Sequence, residues 1–383
     1  MIRIKSFFIF CFLLLGGVKS PASSFLVQDV PSKDFLRMDG TTLEHIFDTS
    51  HDSLSEQRII ELQDRDGLTT WFGRYFNKDI CTTGICRMVT LWIIWDGSGN
   101  FLGMQFEESN PLTKSDHTPF KRKDYERLYE IMADTASILK DLLYEDLTVE
   151  VPKDETNKTH FNNLGIYEID GYSSATVPSL KEYVVEDAVF TCYTLWHTVY
   201  GETKQYIDSL LQKRMNPTYL VRLFNGDKGQ QILALKNIES WDKWSNKIES
   251  QVLKLITSSD LDIAEKALSL ITAKYLSEEE RQLRFVELIK HARPEIKYEI
   301  LYKLQTVTTL FPDTLLLLLD SFNTGDISQG AFNHLLKIIE IQATTNESIN
   351  NNKMIRERVE KLASYSDPYT SSLAKSFTRK MKW

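Results

Sequence analysis

At Asn216-Pro217 the chain loses its strand signals and keeps only helical ones, so one continuous layer cannot accommodate both halves. Before that point aromatic residues crowd together: Trp71, Phe72, Tyr75 and Phe76, then Trp92, Trp95, Phe101 and Phe106. The runs MVTLWIIW and NFLGMQF are β-rich and flank Asp96-Gly97-Ser98-Gly99, which is a hairpin signal. A helix is expected from about Lys123 to Leu142, and DLTVEVP and LGIYEID read as a third and a fourth strand. Strands and helices mix here without a regular βαβ rhythm, so residues 26–214 are expected to form an α+β domain. Pro217 disfavours helical geometry at Asn216 and marks the junction.

The remainder, residues 217–383, reads as all-α. LDIAEKALSLITAKYL, SEEERQLRFVELIKHA, PEIKYEILYKLQTV, FPDTLLLLLDSF and SQGAFNHLLKIIEIQ carry apolar residues at three- and four-residue spacing. Ser, Asp, Pro or Gly bounds each of them. Leu261, Pro294 and Asp326 open segments about one helix pair apart, the period of stacked helical repeats. In period and helix pattern this part resembles HEAT-like repeats, although no sequence signature recurs, and a non-repeating helical bundle fits the same pattern. NESINNNK reads as a solvated loop.

The chain opens MIRIKSFFIFCFLLLGGVKSPASS. Arg3 and Lys5 precede an apolar run, Ser6 to Leu15, that is too short to span a bilayer, and small residues follow at Gly16, Gly17, Ser20 and Ala22. Residues 1–20 are therefore expected to be a cleaved secretory signal peptide. The mature protein is expected to be periplasmic or extracellular, with no transmembrane segment. The whole chain has 45 Lys+Arg against 53 Asp+Glu, a net charge of −8. Without residues 1–20 the balance is 42 against 53, or −11. An acidic chain has no general electrostatic reason to bind nucleic acid.

Three cysteines lie beyond that leader: Cys81, Cys86 and Cys192. Cys81 and Cys86 are close enough for a local disulfide, which export would permit. Together with His197 the three also make a four-ligand zinc set. Cys192 and His197 are five apart on an expected helix, however, which turns them about 140° from each other, so no metal site is expected. Cys192 is expected to pack in a helix interface. Asp96, Ser98, Asn100 and Glu107 fall at calcium-loop offsets, but Phe101 replaces the required Gly and strands flank the loop. A hairpin turn is the expectation. Asp116 and His117 could form an acid–base pair, yet no nucleophile has a recognisable setting nearby; Asp116 or Ser115 capping a helix is the plainer account. Asn157-Lys-Thr and Asn346-Glu-Ser fit glycosylation sequons.

One stretch asks for more than structure. In IDGYSSATVPSLKEYV, Ser179 and Glu182 form a capping box for a helix expected to run to Gly201. The small residues Ser173, Ser174, Ala175 and Thr176 are then not needed as caps. A loop of small residues entering a helix N-terminus suits an anion, because backbone N–H groups can approach it and the helix dipole adds about half a positive charge. The stretch resembles the D-x-x-S-G-A-T motif of exported FMN-binding domains, the flavin-carrying subunits of sodium-pumping NADH:quinone oxidoreductase and Rnf-type complexes. Asp170, Ser173, Ala175 and Thr176 match, while Ser174 stands where that family has Gly. A looser similarity in element order covers about residues 85–200. The resemblance implies FMN attached covalently through its phosphate to Thr176, an FMN transferase as a partner, and one-electron carriage to a redox partner docked by the helical domain. If the Ser174 position needs positive φ, Ser costs about 1 kcal/mol or more there. The alternative is a flavin-free extracytoplasmic scaffold or protein-interaction protein.

Overall fold

The computed structural model describes residues 39–47, 57–80, 88–106, 110–149, 175–176, 180–241 and 243–383. The chain divides into two compact units, one ending at Lys213 and the other beginning at Arg214.

The first unit is built on a five-stranded antiparallel meander in sequential order: β1 (Thr41–Ile46), β2 (Arg58–Gln63), β3 (Thr69–Asp79), β4 (Met88–Asp96) and β5 (Phe101–Phe106). Two of its turns use the same chemistry. Asp64 Oδ1 accepts from the amides of Asp66 and Leu68, with Gly67 at φ 75°. Asp96 Oδ1 accepts from Ser98 and Asn100, with Gly99 at φ 80°. An Asx turn followed by a left-handed glycine reverses a hairpin at little strain. The sheet therefore holds three strands, β1 to β3, beyond those expected from the sequence.

Register sorts the strands into two faces. Ile59, Phe72, Phe76, Leu91, Ile93, Trp95, Met104 and Phe106 share one face and are buried. Helix α2 (Val189–Tyr200) and helix α3 (Glu202–Arg214) bond to this face: Trp95 Nε1 donates to the Val199 carbonyl at 3.0 Å, and Arg74 donates to Thr203 Oγ1 at 2.6 Å. The other face carries Leu62, Trp71 and Ile94, with Ile60, Trp92 and Leu102 packed against them. Gly73 lies under the two tryptophans, where a Cβ would stand 3.2 Å from Trp71 and 3.4 Å from Trp92.

The helix expected over 123–142 is shorter. Helix α1 spans Arg122–Ala133 and stops because Asp134 turns extended and its carboxylate accepts from Ala136 N; a 3₁₀ turn then covers Ile138–Asp141. Its loose carbonyls are collected by α2. Tyr200 donates to Met132 O, Trp196 to Asp134 O, His197 to Leu139 O and Tyr193 to Leu142 O. The aromatic edge of α2 thus satisfies acceptors that a broken helix leaves orphaned. Of DLTVEVP, the described residues include strand β6 (Thr148–Val149), while residues 150–152 and the expected strand LGIYEID lie outside the described residues.

The second unit holds α4 (Pro217–Leu223), α5 (Lys228–Ile238), α6 (Asn246–Ile256), α7 (Leu261–Ser269), α8 (Glu279–Glu287), α9 (Pro294–Gln305), α10 (Pro312–Asn323), α11 (Phe332–Thr345), α12 (Glu347–Asn350), α13 (Lys353–Leu362) and α14 (Pro368–Met381). Asn216, Asp227, Ser245, Asp260, Asn352 and Asp367 cap their helices with side-chain oxygens, and Pro occupies the first turn of α4, α9, α10 and α14. In one layer α5 packs on α7, α7 on α9, α9 on α11 and α11 on α14; in the other α4 packs on α6, α8 on α10 and α10 on α13. NESINNNK is more than a loop, since it contains α12 and buries Ile349 completely.

Candidate functional site

The expected flavin site falls largely outside the described residues: Asp170, Ser173 and Ser174 are not among them. Ala175–Thr176 forms strand β7, paired antiparallel with β6 so that Thr176 faces Thr148 and Ala175 faces Val149. Ser179 lies outside the described residues, and the helix expected to run from it to Gly201 is not continuous. Leu180 lies in a 3₁₀ turn and residues 181–188 form turns and irregular backbone, with Asp187 left-handed at φ 59°, and α2 starts only at Val189. Val184 and Val185 are both buried in this irregular stretch. The N-terminus of α2 therefore lies at Val189, well past Thr176, and residues 177–179 lie outside the described residues.

Cys81 and Cys86 also lie outside the described residues. Cys192 is fully buried, and its Sγ accepts from Val185 N at 3.3 Å. Burial pushes its thiol pKa up to about 12, with the Val185 amide opposing. His197 Nε2 lies 2.9 Å from the Leu139 carbonyl, between the rings of Tyr193 and Trp196. Burial lowers its pKa, and the Leu139 contact works the other way. Cys192 and His197 are thus each committed to a different backbone group. Among the described residues no three His, Cys, Asp or Glu side chains form a metal-ligand group.

The remaining sequence candidates are turns. Asp96 bonds its own hairpin, as above; Ser98 is buried there, and Glu107 is outside the described residues. Asp116 does not cap a helix. Its carboxylate closes a tight turn onto Thr118 N and Oγ1, which holds its pKa below the usual range, while His117 sits at φ 64°. The helix cap is Lys121, whose amide bonds to the Asp124 carboxylate at 2.8 Å.

Sequence reasoning missed a buried polar cluster on the sheet. Glu61 is completely buried in β2. Its carboxylate lies 2.7 Å from His45 Nε2 and accepts from Gln63 Nε2 at 2.8 Å and Thr69 Oγ1 at 2.6 Å. Nearby Arg74, also buried, lies over the Phe47 ring at 5.1 Å, and that ring packs on Tyr206 at 4.7 Å. A carboxylate orienting a histidine can serve proton transfer. No hydroxyl or thiol bonded to His45 completes such a set among the described residues. The cluster instead ties β1 to the sheet. The signal was a charge at an inward position of RIIELQ, alternating with Ile59.

The helical unit presents a different kind of surface. Helix α9 buries Ile296, Ile300, Leu301 and Leu304. On its opposite side Tyr298 is 43% and Tyr302 61% exposed, one turn apart. The Tyr298 ring packs edge-on to His334 of α11 at 6.1 Å, and Gln305 Nε2 lies 3.3 Å from His334 Nδ1. Beyond them Lys380 of α14 bonds Glu340 of α11 at 2.6 Å. These residues line one solvent face of the α9–α11–α14 layer, with two aromatic rings standing out of it. Comparison with protein-family models, with curated proteins and with solved structures finds no match.

Proposed function

We propose that this chain is a protein-interaction protein whose helical unit, read as HEAT-like repeats, docks a partner across the α9–α11 face. The observation that supports this reading is the pair Tyr298 and Tyr302, exposed on successive turns of a helix whose other large apolar residues are buried. Tyr is among the residues that supply binding energy at interfaces, because it buries much area at small entropic cost. Export rests on the leader-like residues 1–20. A photo-crosslinking amino acid in place of Tyr302, in the full chain and its native host, should give one discrete adduct. The same group in place of exposed Lys247 should give none. Equal labelling from both positions would count against the reading.

A second reading is FMN carried on Thr176, loaded by an FMN transferase. It is supported by the motif residues Asp170, Ser173, Ala175 and Thr176, and by a backbone at Ala175–Thr176 held in a strand pair. Co-expression with the transferase should then give protein that stays yellow on denaturation and gains the mass of one FMN, and Thr176→Ala should abolish both. A colourless wild-type chain leaves the interaction reading alone.

A further inference from the structure

Charge is distributed unevenly along the chain. Residues 353–383, the α13–α14 end of the helical unit, hold eight Lys or Arg against three Asp or Glu, while the whole chain is at −8. The last helix pair is thus a basic end on an acidic protein. Half of its cations are occupied: Lys353 pairs with Glu357, Arg358 with Asp320 and Lys380 with Glu340, and Arg356 bonds the Asn350 carbonyl. Lys361, Lys375, Arg379 and Lys382 are exposed and make no ion pair among the described residues.

Three of these four follow one edge of one helix. α14 buries Thr370, Ala374 and Phe377 and turns Tyr369, Ser372, Lys375 and Arg379 outward, and Lys382 follows at the left-handed C-cap. From Lys375 to Lys382 the edge is about 10 Å long at ~1.5 Å per residue. Cations at i, i+4 and i+7 with no acids between them repel one another and are costly unless an anion is nearby. We propose that this edge is the docking site for an acidic protein segment, whose carboxylates sit on Lys375, Arg379 and Lys382. The proposal rests on the reading that the helical unit docks a protein. A narrow line with Ser372 and Ser376 along it suits a chain laid on the helix. A membrane surface would instead favour a broad basic face flanked by several large apolar side chains, and Tyr369, 53% exposed, is the large apolar side chain exposed on α14.

The test uses the full chain and a fluorescein-labelled polyglutamate peptide, read by anisotropy at low and high salt. Binding should appear at low salt and weaken as salt rises. The Lys375→Glu/Arg379→Glu variant should bind at least about tenfold more weakly. A control with the same charge change on exposed α6 positions, Lys247→Glu/Lys254→Glu, should stay within about twofold of wild type. Both sites are exposed, and melting curves will show whether either variant is misfolded; a Lys375→Gln/Arg379→Gln pair repeats the test without reversing charge. Equal loss in the control would reduce the effect to net charge and overturn the proposal, as would absence of binding at low salt. Binding to anionic phosphatidylglycerol vesicles in preference to the peptide would assign the edge to a membrane instead. Crosslinking at position 302 is independent of these outcomes, so the docking reading and this proposal can fail separately.

Discussion

Side-chain bonds in the first unit reach far along the chain, whereas those in the helical unit stop at the next helix pair. Tyr206 bonds Ile46 across 160 residues, Arg74 bonds Thr203 across 129 and Trp95 bonds Val199 across 104. In the helical unit the links between successive helix pairs span 26 residues, from Tyr275 to Glu249, up to 40, from Lys380 to Glu340. Two buried glutamines show the pattern at its sharpest. Gln282 bonds Leu276 O, Thr309 O, Phe311 N and Thr314 Oγ1, and Gln342 bonds Val307 O and Leu310 N. Between them they clamp the α9–α10 turn from both neighbours. A unit closed by non-local contacts should open as a whole, while a stack joined only to its neighbours can open by parts.

Substitutions should separate the two behaviours. Trp95→Ala removes a fully buried ring and its bond to α2, and should cost about 3–5 kcal/mol. Its effect should reach every strand of the sheet, seen as loss of protection in β2 as well as β4. Gln282→Ala leaves the buried Leu276 carbonyl and Thr314 hydroxyl, and two partly buried backbone groups at Thr309 and Phe311, short of a bond and should cost about 1–3 kcal/mol. That loss should stay within α8 to α10; spreading to α5 would break the contrast.

The remaining effects are smaller. Burial lowers the His197 pKa, so the unfolded chain binds a proton that the folded chain resists. The corresponding stability is full above the ordinary histidine range and is lost as pH falls through the folded pKa below it. Denaturant midpoints taken from neutral to mildly acid pH should fall more steeply for wild type than for His197→Gln. Parallel curves would remove His197 from the account. Cys192 should stay unreactive to thiol reagents at pH 8 until the first unit unfolds, since burial holds its thiol near 12. At the low end, Lys228 bridges Asp260 and Asp262 at the exposed surface, and Lys228→Ala should leave the unfolding midpoint unchanged.

The helical unit was legible because each helix carries its own start and stop. Asp260 before Leu261, Pro294 and Pro312 at first turns, and apolar residues at helical spacing are all local signals. The sheet was half legible. The β4–β5 hairpin announces itself through Asp96-Gly97, and Asp66-Gly67 sends the same signal between β2 and β3, where the run of aromatic residues that follows masks it. The helix expected from Ser179 to Gly201 is not continuous, because Asp187 takes a left-handed backbone ahead of Val189, where α2 begins. Buried Glu61 was illegible because its value lies in His45, Gln63 and Thr69, brought to it by strand pairing. At the candidate flavin stretch, Asp170, Ser173 and Ser174 lie outside the described residues, while Ala175–Thr176 pairs with β6.

Hydrogen exchange of the full chain, read by mass spectrometry peptide by peptide, tests the contrast between the units most directly. Peptides from β2, β3, β4 and α2 should exchange together, with one opening free energy and one dependence on denaturant. Peptides from α4 to α14 should show graded protection, strongest around α8 to α10, where Gln282 and Gln342 act from both sides, and weaker toward either end. One common opening for all the helices, or a sheet whose strands exchange at separate rates, would contradict it.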